Sequence, residues 1–278
     1  MDMPRLSSER RRLAASLKDL RRAAGLSGEQ LGAALGWSQS KVSKIENTRT
    51  RPAIADVEAW ANVTRAGSEL RAELIALADL IAVDVQSWRA VQEAGLTRRQ
   101  QEMAEIEAAT THLRNFQPAL IPGLLQTAEY TRRVLTLSDV SEQRDVPSAV
   151  AARLERQTVL YDQGKQFDFV LTEAALLWRP GPPELMHAQM DRLLSIETLP
   201  NVHVGVVPFG REATALYANG FTIFEVPDDP IVLVEILTTD LMLSDTRDLS
   251  AYREAFGRLQ DAAVTGQEAR QLINSSAR

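Results

Sequence analysis

The stretch Leu26–Pro52, with the sequence LSGEQLGAALGWSQSKVSKIENTRTRP, decides the fold of the N-terminal part of the chain. Ser27 and Gln30 have the spacing of a capping box, which predicts that a short helix begins there and covers Gly28–Leu35. Gly36 ends this helix, because a residue without a Cβ adopts the tight-turn backbone at little cost. The stretch therefore predicts a short helix followed directly by a turn.

A second short helix, Gln39–Glu46, is predicted after the turn. Val42 and Ile45 form its apolar back, so its other side faces outward. The outward residues are hydrogen-bonding types and none is acidic: Ser38, Gln39, Ser40, Lys41, Ser43 and Lys44. A major groove about 12 Å wide admits one helix, and such side chains bind base edges and phosphates. The alternative is a packed helix pair with a solvated polar face, but the cap, the glycine turn and the cationic front together favour DNA binding.

The charge distribution agrees with this interpretation. The chain of 278 residues has a net charge of −6, yet residues 1–66 hold 12 Lys/Arg and 7 Asp/Glu, whereas the remainder holds 19 and 30. A cationic segment is thus joined to an anionic body, which phosphate would repel. There is no cysteine, so disulfides, thiolate catalysis and cysteine-bound metals are excluded. No apolar run is long enough for a membrane span, and the expected compartment is the cytoplasm, at the nucleoid.

The C-terminal part has a different pattern. Four runs rich in β-branched and aromatic residues predict strands: Phe167–Thr172, Val202–Val207, Phe221–Val226 and Ile231–Ile236. A Pro-Asp-Asp-Pro turn separates the last two runs, which predicts an antiparallel hairpin. Helices are predicted at Ala149–Tyr161, Pro183–Glu197, Asp248–Val264 and from Gln267 onward. Strands mixed with helices predict an α+β domain with a mixed sheet.

Three segments follow from these patterns. Residues 1–66 form an all-α DNA-binding domain, in which Trp60 is expected in the core. Residues 67–104 are expected to be a helical linker, with helices at Ser68–Ala82 and Val85–Gln101. Residues 105–278 form the α+β domain.

The stretch quoted above resembles the lambda-repressor-like, or XRE-type, helix-turn-helix family. This resemblance implies a five-helix domain that binds a double-stranded DNA operator through its second and third helices. It also implies that Arg21 and Glu46 form a buried structural pair. Gly28 and Glu29 depart from the family, which often has a Gln at the start of the second helix, so either Gln30 or the free N-terminus of that helix is expected to anchor a phosphate instead.

Carried over by position, the resemblance implies two sets of DNA contacts. The expected base contacts are Gln39, Ser40 and Lys44, with Lys41 at the edge of this set. The expected phosphate contacts are Gln30, Ser38, Ser43, Asn47, Arg49 and Arg51.

The PGLLQT block at Pro122–Thr127 and the ARLERQ block at Ala152–Gln157 resemble a group of actinobacterial regulators. In that group an XRE-type domain precedes a large C-terminal domain, and some members resemble antitoxins of toxin–antitoxin pairs. The resemblance implies that the C-terminal domain senses a ligand or a small protein partner.

These observations predict a dimeric transcriptional repressor. The alternative is an antitoxin-like protein that sequesters a small partner and regulates its own synthesis. An enzyme would need a deep pocket with convergent ionisable groups, but His112, His187 and His203 lack metal-binding spacing and no phosphate-binding loop is present. Glu173 and Glu235 lie beside predicted strands, where a buried carboxylate can mark a pocket, but an edge or hydrogen-bonded carboxylate is the favoured interpretation. We therefore expect no catalytic residue, metal or cofactor.

Overall fold

The computed structural model describes residues 3–48, 50, 52–87, 96–138, 145–212, 214, 219–236 and 239–276. Its N-terminal part is helical: α1 (Met3–Ala23), α2 (Gly28–Leu35), α3 (Gln39–Glu46), α4 (Ile54–Val63) and α5 (Ser68–Ala82). The predicted bounds of α2 and α3 are confirmed.

A cap at the start of α2 and two glycines near its end fix α2 and the turn that leads to α3. Ser27 Oγ accepts a hydrogen bond from the backbone N–H of Gln30, whose side chain in turn accepts one from the N–H of Ser27. Gly36 has a φ of 70°, in the left-handed region that favours glycine. At Gly32 a Cβ would lie 2.9 Å from the carbonyl oxygen of Trp37, so only glycine permits this close approach. The sequence thus holds the two short helices tightly together.

One apolar core joins all five helices. Leu17, Leu31, Ile45, Trp60 and Leu74, one from each helix, are at most 1% exposed. The indole Nε1 of Trp60 donates a hydrogen bond of 3.0 Å to the carbonyl oxygen of Leu17. Trp60 is therefore a core residue, as predicted.

The segment after α4 differs from the helical linker predicted over residues 67–104. α5 places Leu74, Leu77 and Ala78 in the first core, so it is part of the helical domain. The chain then enters the sheet directly, because β1 (Val83–Ser87) is a strand where a helix was predicted. Pairing with a distant strand outweighs the helical pattern of this segment.

One mixed sheet forms the C-terminal part. Besides β1 it contains β2 (His112–Gln117), β3 (Gln166–Thr172), β4 (Val202–Val207), β5 (Phe221–Glu225), β6 (Ile231–Ile236) and β7 (Thr239–Leu243). The strand order is β1-β7-β6-β5-β2-β3-β4; β2, β3 and β4 are parallel, and the other pairs are antiparallel. The four predicted strands and the β5–β6 hairpin are confirmed, whereas β1, β2 and β7 were not predicted.

Helices pack on both faces of this sheet: α6 (Leu96–Ala109), α7 (Ala128–Leu137), α8 (Val146–Arg156), α9 (Glu173–Leu177), α10 (Pro183–Ile196), α11 (Thr246–Ala262) and α12 (Gly266–Ser276). α11 covers the face that carries Phe116 and Ile223. α10 and α12 pack against Phe169 and Val204 on the opposite face. The expected architecture, an all-α domain followed by an α+β domain, is confirmed. No helix within the described ranges has the length and apolarity that a membrane span requires.

Candidate nucleic-acid interface

Polar side chains share the outward side of α3, and we call this set the α3 outward face: Gln39, Ser40, Ser43, Lys44 and Asn47. Spacings of three and four residues place them on one side of the helix, opposite the buried Val42 and Ile45. Gln39, Ser40 and Asn47 are exposed, and Ser43 and Lys44 are half-buried. This face presents amide, hydroxyl and ammonium groups, the chemistry that binds base edges and phosphates.

An ion pair supports this face from behind. The Arg21 Nε on α1 lies 2.5 Å from Glu46 Oε1 and its Nη2 lies 2.9 Å from Oε2, while Nη1 donates to the carbonyl oxygen of Leu26. Only 14% of the Arg21 side chain and 8% of that of Glu46 are exposed. The hydrogen bond that Arg21 donates to Glu46 raises the pKa of Arg21, although burial opposes this effect. The pair thus joins the last residue of α3 to α1, and Arg21 also holds the segment just before α2 through Leu26.

Lys41 differs from the expected base contact. Its Nζ lies 3.0 Å from Asp56 Oδ1 on α4 and 4.2 Å from the centroid of the Trp37 ring. On the helix it points away from the α3 outward face, toward α4. An ion pair and a cation–π contact therefore hold this side chain within the domain.

The residues expected at phosphates lie at helix ends. Ser38 Oγ accepts a hydrogen bond from the N–H of Lys41, and the side-chain oxygen of Gln30 accepts one from the N–H of Ser27. Both side chains are exposed, and each of them caps the start of a helix. Asn47 Nδ2 donates to the carbonyl oxygen and the hydroxyl of Ser43. These bonds orient the polar groups at the rim of the face.

The loop after α3 turns back toward the domain. Thr48 has a φ of 58°, and Thr50 is buried, with its N–H 3.3 Å from the carbonyl oxygen of Lys44. Arg49 and Arg51, both expected at phosphates, lie outside the described residues.

A separate cavity of about 470 Å³ lies in the C-terminal domain, between the sheet and α6, α7 and α8. Guanidinium, carboxamide and carboxylate groups line it together with apolar side chains. Its charged lining residues are Arg99, Glu107, Arg153, Arg156, Glu235 and Asp240. Sequence reasoning placed no site here. The ARLERQ block was the available signal, since Arg153 and Arg156 are three residues apart and therefore share one face of α8.

Two of the three histidines, His112 and His203, bind a carboxylate on the sheet. His112 Nε2 and His203 Nδ1 lie 2.6 and 3.0 Å from the two oxygens of Asp168, on neighbouring strands. Burial alone would raise the pKa of Asp168, but the hydrogen bonds and charges of the two histidines lower it. Glu173 accepts a hydrogen bond from the N–H of Phe209. His203 is thus a hydrogen-bonded residue on the face of the sheet.

Two family models match this chain. One, described as a helix-turn-helix domain, matches residues 12–74, which contain α2 and α3. This match and the α3 outward face support a DNA-binding regulator. The other, described as "Domain of unknown function (DUF5753)", matches residues 100–275.

Other comparisons are less informative. No curated protein matches the chain. One similar solved structure is that of TrmBL2, described as an archaeal chromatin protein with a novel mode of DNA binding. It is 13% identical, covers 76% of this chain and 69% of its own, and has a TM-score of 0.34, which is too low to inform on fold or function. The second family model spans more than half of the residues, and the chain therefore belongs to the DUF5753 family, joined here to an N-terminal helix-turn-helix domain.

Proposed function

We propose that this protein is a sequence-specific transcriptional repressor that binds a double-stranded operator as a homodimer and responds to a ligand or partner through its C-terminal domain. The observation that carries the proposal is the α3 outward face, where Gln39, Ser40 and Lys44 are presented by a helix that is anchored from behind. In this proposal Gln39, Ser40 and Lys44 contact bases. Gln30, Ser38, Ser43, Asn47, Arg49 and Arg51 contact phosphates.

The dimer follows from the size of the module. One short helix contacts only a few base pairs, and specific affinity usually requires two half-sites about one helical turn apart. The repressor role rests on the resemblance to lambda-repressor-like proteins, which act by occupying operators.

The test begins with selection of bound sequences from random duplex DNA by the full-length protein. The operator obtained is then titrated with the double variant Gln39→Ala/Lys44→Ala. We expect a loss of about 1–3 kcal/mol for each base contact removed, together with relaxed sequence preference. A matched control, Arg258→Ala/Gln267→Ala, removes similar exposed side chains from α11 and α12 and should bind like the wild type. Wild-type affinity and preference in the first variant would show that α3 is not the reading helix.

The antitoxin-like alternative has one observation in its favour. Leu177, Trp178 and Phe209 are large, exposed apolar side chains, and Phe209 is linked to α9 through Glu173. Such side chains are common where proteins bind each other. Purification from the native host followed by mass measurement distinguishes the two functions. A stoichiometric small partner supports the alternative, whereas a lone homodimer with full operator affinity contradicts it.

We propose binding rather than catalysis for the cavity, although ionisable groups converge there. Two of its carboxylates are occupied by arginines: Glu107 by Arg156 and Asp240 by Arg99. A general base needs a carboxylate that can reach the substrate proton. The pairing therefore favours recognition of a ligand over proton transfer.

A further inference from the structure

The C-terminal cavity has the size and composition of a small-molecule site. Its volume of about 470 Å³ lies within the range of roughly 300–1,000 Å³ that is usual for such sites. The sheet contributes Phe169, Phe224 and Leu233, and the opposite wall contributes Met103 and Leu124. An apolar body would thus be covered on two sides.

Glutamine side chains hold the PGLLQT block, which contributes to one wall of the cavity, in place. Gln126 Nε2 donates to the carbonyl oxygen of Ile121, and Gln157 Nε2 donates to the carbonyl oxygens of Gly123 and Gln126. Gln189 Nε2 donates to the carbonyl oxygen of Leu125. These bonds hold the PGLLQT block in place, so the cavity does not depend on a ligand for its shape.

Arg153 differs from the other two arginines of the cavity. Arg156 makes a bidentate pair with Glu107, and Arg99 Nη2 lies 2.7 Å from Asp240. Within the described part of the chain, Arg153 instead donates to two neutral carboxamides, at 3.3 Å from Nε to Gln100 and 3.0 Å from Nη1 to Gln126.

The guanidinium of Arg153 remains charged at neutral pH. Burial lowers its pKa to about 10, as does the charge of Arg156, whereas Glu235 and Glu107 oppose this effect. Glu235 also lines the cavity, but among the described residues it makes no hydrogen bond with Arg153. A planar guanidinium with neutral partners can donate hydrogen bonds to a carboxylate or another oxyanion and is a good binding site for it.

Asn115, one of the residues that line the cavity, has a side-chain acceptor without a hydrogen-bond partner among the described residues. Asn115 is 7% exposed, and its Nδ2 donates to Thr222 Oγ1 at 2.6 Å, but its buried Oδ1 has no hydrogen-bond partner. Asn115 and Thr222 are paired residues of β2 and β5, and both line the cavity. An unsatisfied buried acceptor is costly, so a ligand N–H or O–H at this point would be favoured.

We propose that this cavity binds a small organic anion that combines an apolar body with an N–H or O–H donor. The anionic group pairs with Arg153, the donor meets Asn115 Oδ1, and the apolar body lies on Phe169, Phe224 and Leu233. The assignment of the cavity as the effector site of a regulator rests on the proposed function. Ligand binding in the cavity can be measured without DNA.

The test uses two fluorescent probes of the same shape. Anilinonaphthalene sulfonate has a sulfonate, an N–H donor and apolar rings, and phenylnaphthylamine lacks only the sulfonate. Both are titrated into the full-length protein, with stoichiometry measured by calorimetry. We expect one saturable site for the sulfonate probe. In Arg153→Gln the ratio of its Kd to that of the neutral probe should rise about ten-fold or more. Arg153→Lys should retain most of the wild-type ratio.

Two further variants complete the test. Asn115→Leu should weaken both probes several-fold without changing their ratio, because both carry the N–H donor. The control Arg132→Gln removes an exposed arginine of α7 that pairs with Glu129, and it should change neither Kd.

Several results would overturn the proposal. These are the absence of a saturable site in the wild type, an unchanged ratio in Arg153→Gln, or unchanged affinities in Asn115→Leu. If Arg153→Gln binds neither probe, Arg153→Lys decides: a wild-type ratio supports the anion site, and any other result contradicts it. Operator binding is measured on the same preparations. If the probes fail to bind but the operator is still recognised, only the proposed ligand site is rejected. If the probes bind but no operator is recognised, only the proposed regulatory function is rejected.

Discussion

At the scale of single residues, Glu46 supports both the core of the helical domain and the position of its outward face. It ends α3, and its carboxylate accepts two hydrogen bonds from Arg21 on α1. Both side chains are largely buried, so removing one partner leaves the other charge without compensation. Residues of this kind explain how a helix of only eight residues is held in a fixed position.

We predict that Glu46→Ala destabilises the helical domain by about 3 kcal/mol, because it leaves a mostly buried guanidinium unpaired. The control Glu73→Ala removes an exposed partner of Arg12 and should cost less than about 1 kcal/mol. Native-state hydrogen exchange of the slowest amides in α1–α5 measures this domain alone. Equal losses in the two variants would show that the Arg21 pair has no special role.

At the scale of elements, glycine positions determine how closely α2 approaches the following turn. We predict that Gly32→Ala destabilises the helical domain by roughly 1–3 kcal/mol, since its Cβ would lie 2.9 Å from the carbonyl oxygen of Trp37. Gly257→Ala is the matched control in α11, where a Cβ meets nothing within 4 Å. It should stabilise its own domain by up to about 1 kcal/mol. If hydrogen exchange showed stability changes of the same sign for Gly32→Ala and Gly257→Ala, each in its own domain, this account of the turn would be contradicted.

Glu225 connects three elements of the C-terminal domain, since it accepts hydrogen bonds from Arg253 on α11 and Arg114 on β2. The Arg253 hydrogen bond lowers the pKa of Glu225 despite burial, and Arg114 adds to the effect. A lowered pKa means that the folded state binds this proton less readily than the unfolded state. Its stabilisation is therefore complete above the ordinary value of 4.5 and is lost as the pH falls through the folded pKa.

We predict that Glu225→Gln lowers the free energy of unfolding by about 1 kcal/mol at neutral pH, since the partners are partly exposed and screened. The difference from the wild type should vanish in acid, below the folded pKa of Glu225. Urea unfolding at both pH values measures it. A difference that persists unchanged in acid would mean that shape, not charge, is responsible.

At the scale of the whole molecule, the separation of charge predicts strongly salt-dependent DNA binding. Residues 1–66 have a net charge of +5 and the remainder has −11. If Arg49 and Arg51 of each subunit neutralise one phosphate apiece, a dimer neutralises about four phosphates and should lose roughly a hundred-fold in operator affinity between about 50 and 200 mM salt. Arg49→Gln should reduce the slope of log K against log salt by about one for each half-site, whereas Arg258→Gln should leave it unchanged. An unchanged slope in Arg49→Gln would remove that residue from the phosphate contacts.

Most elements were predictable, and the exceptions have physical reasons. The strands β3–β6 are rich in β-branched and aromatic residues, so their composition identifies them. β2 was missed because Arg114 and Asn115 interrupt its apolar pattern, one to bind Glu225 and the other to line the cavity. The residues expected to face DNA were chosen partly by helical spacing, and Lys41, one of them, pairs with Asp56 on another helix, which its own helix could not indicate.

The amino-acid sequence alone determined the α2–α3 pair, because caps, glycine turns and helical periodicity act through backbone contacts only a few residues apart. The tertiary structure alone decided that α5 completes the first core, that β1 joins the sheet, and that a cavity exists. Arg99 and Asp240 are 141 residues apart in the chain yet meet beside it. Such a meeting depends on where distant elements pack, and no local pattern of residues records that position.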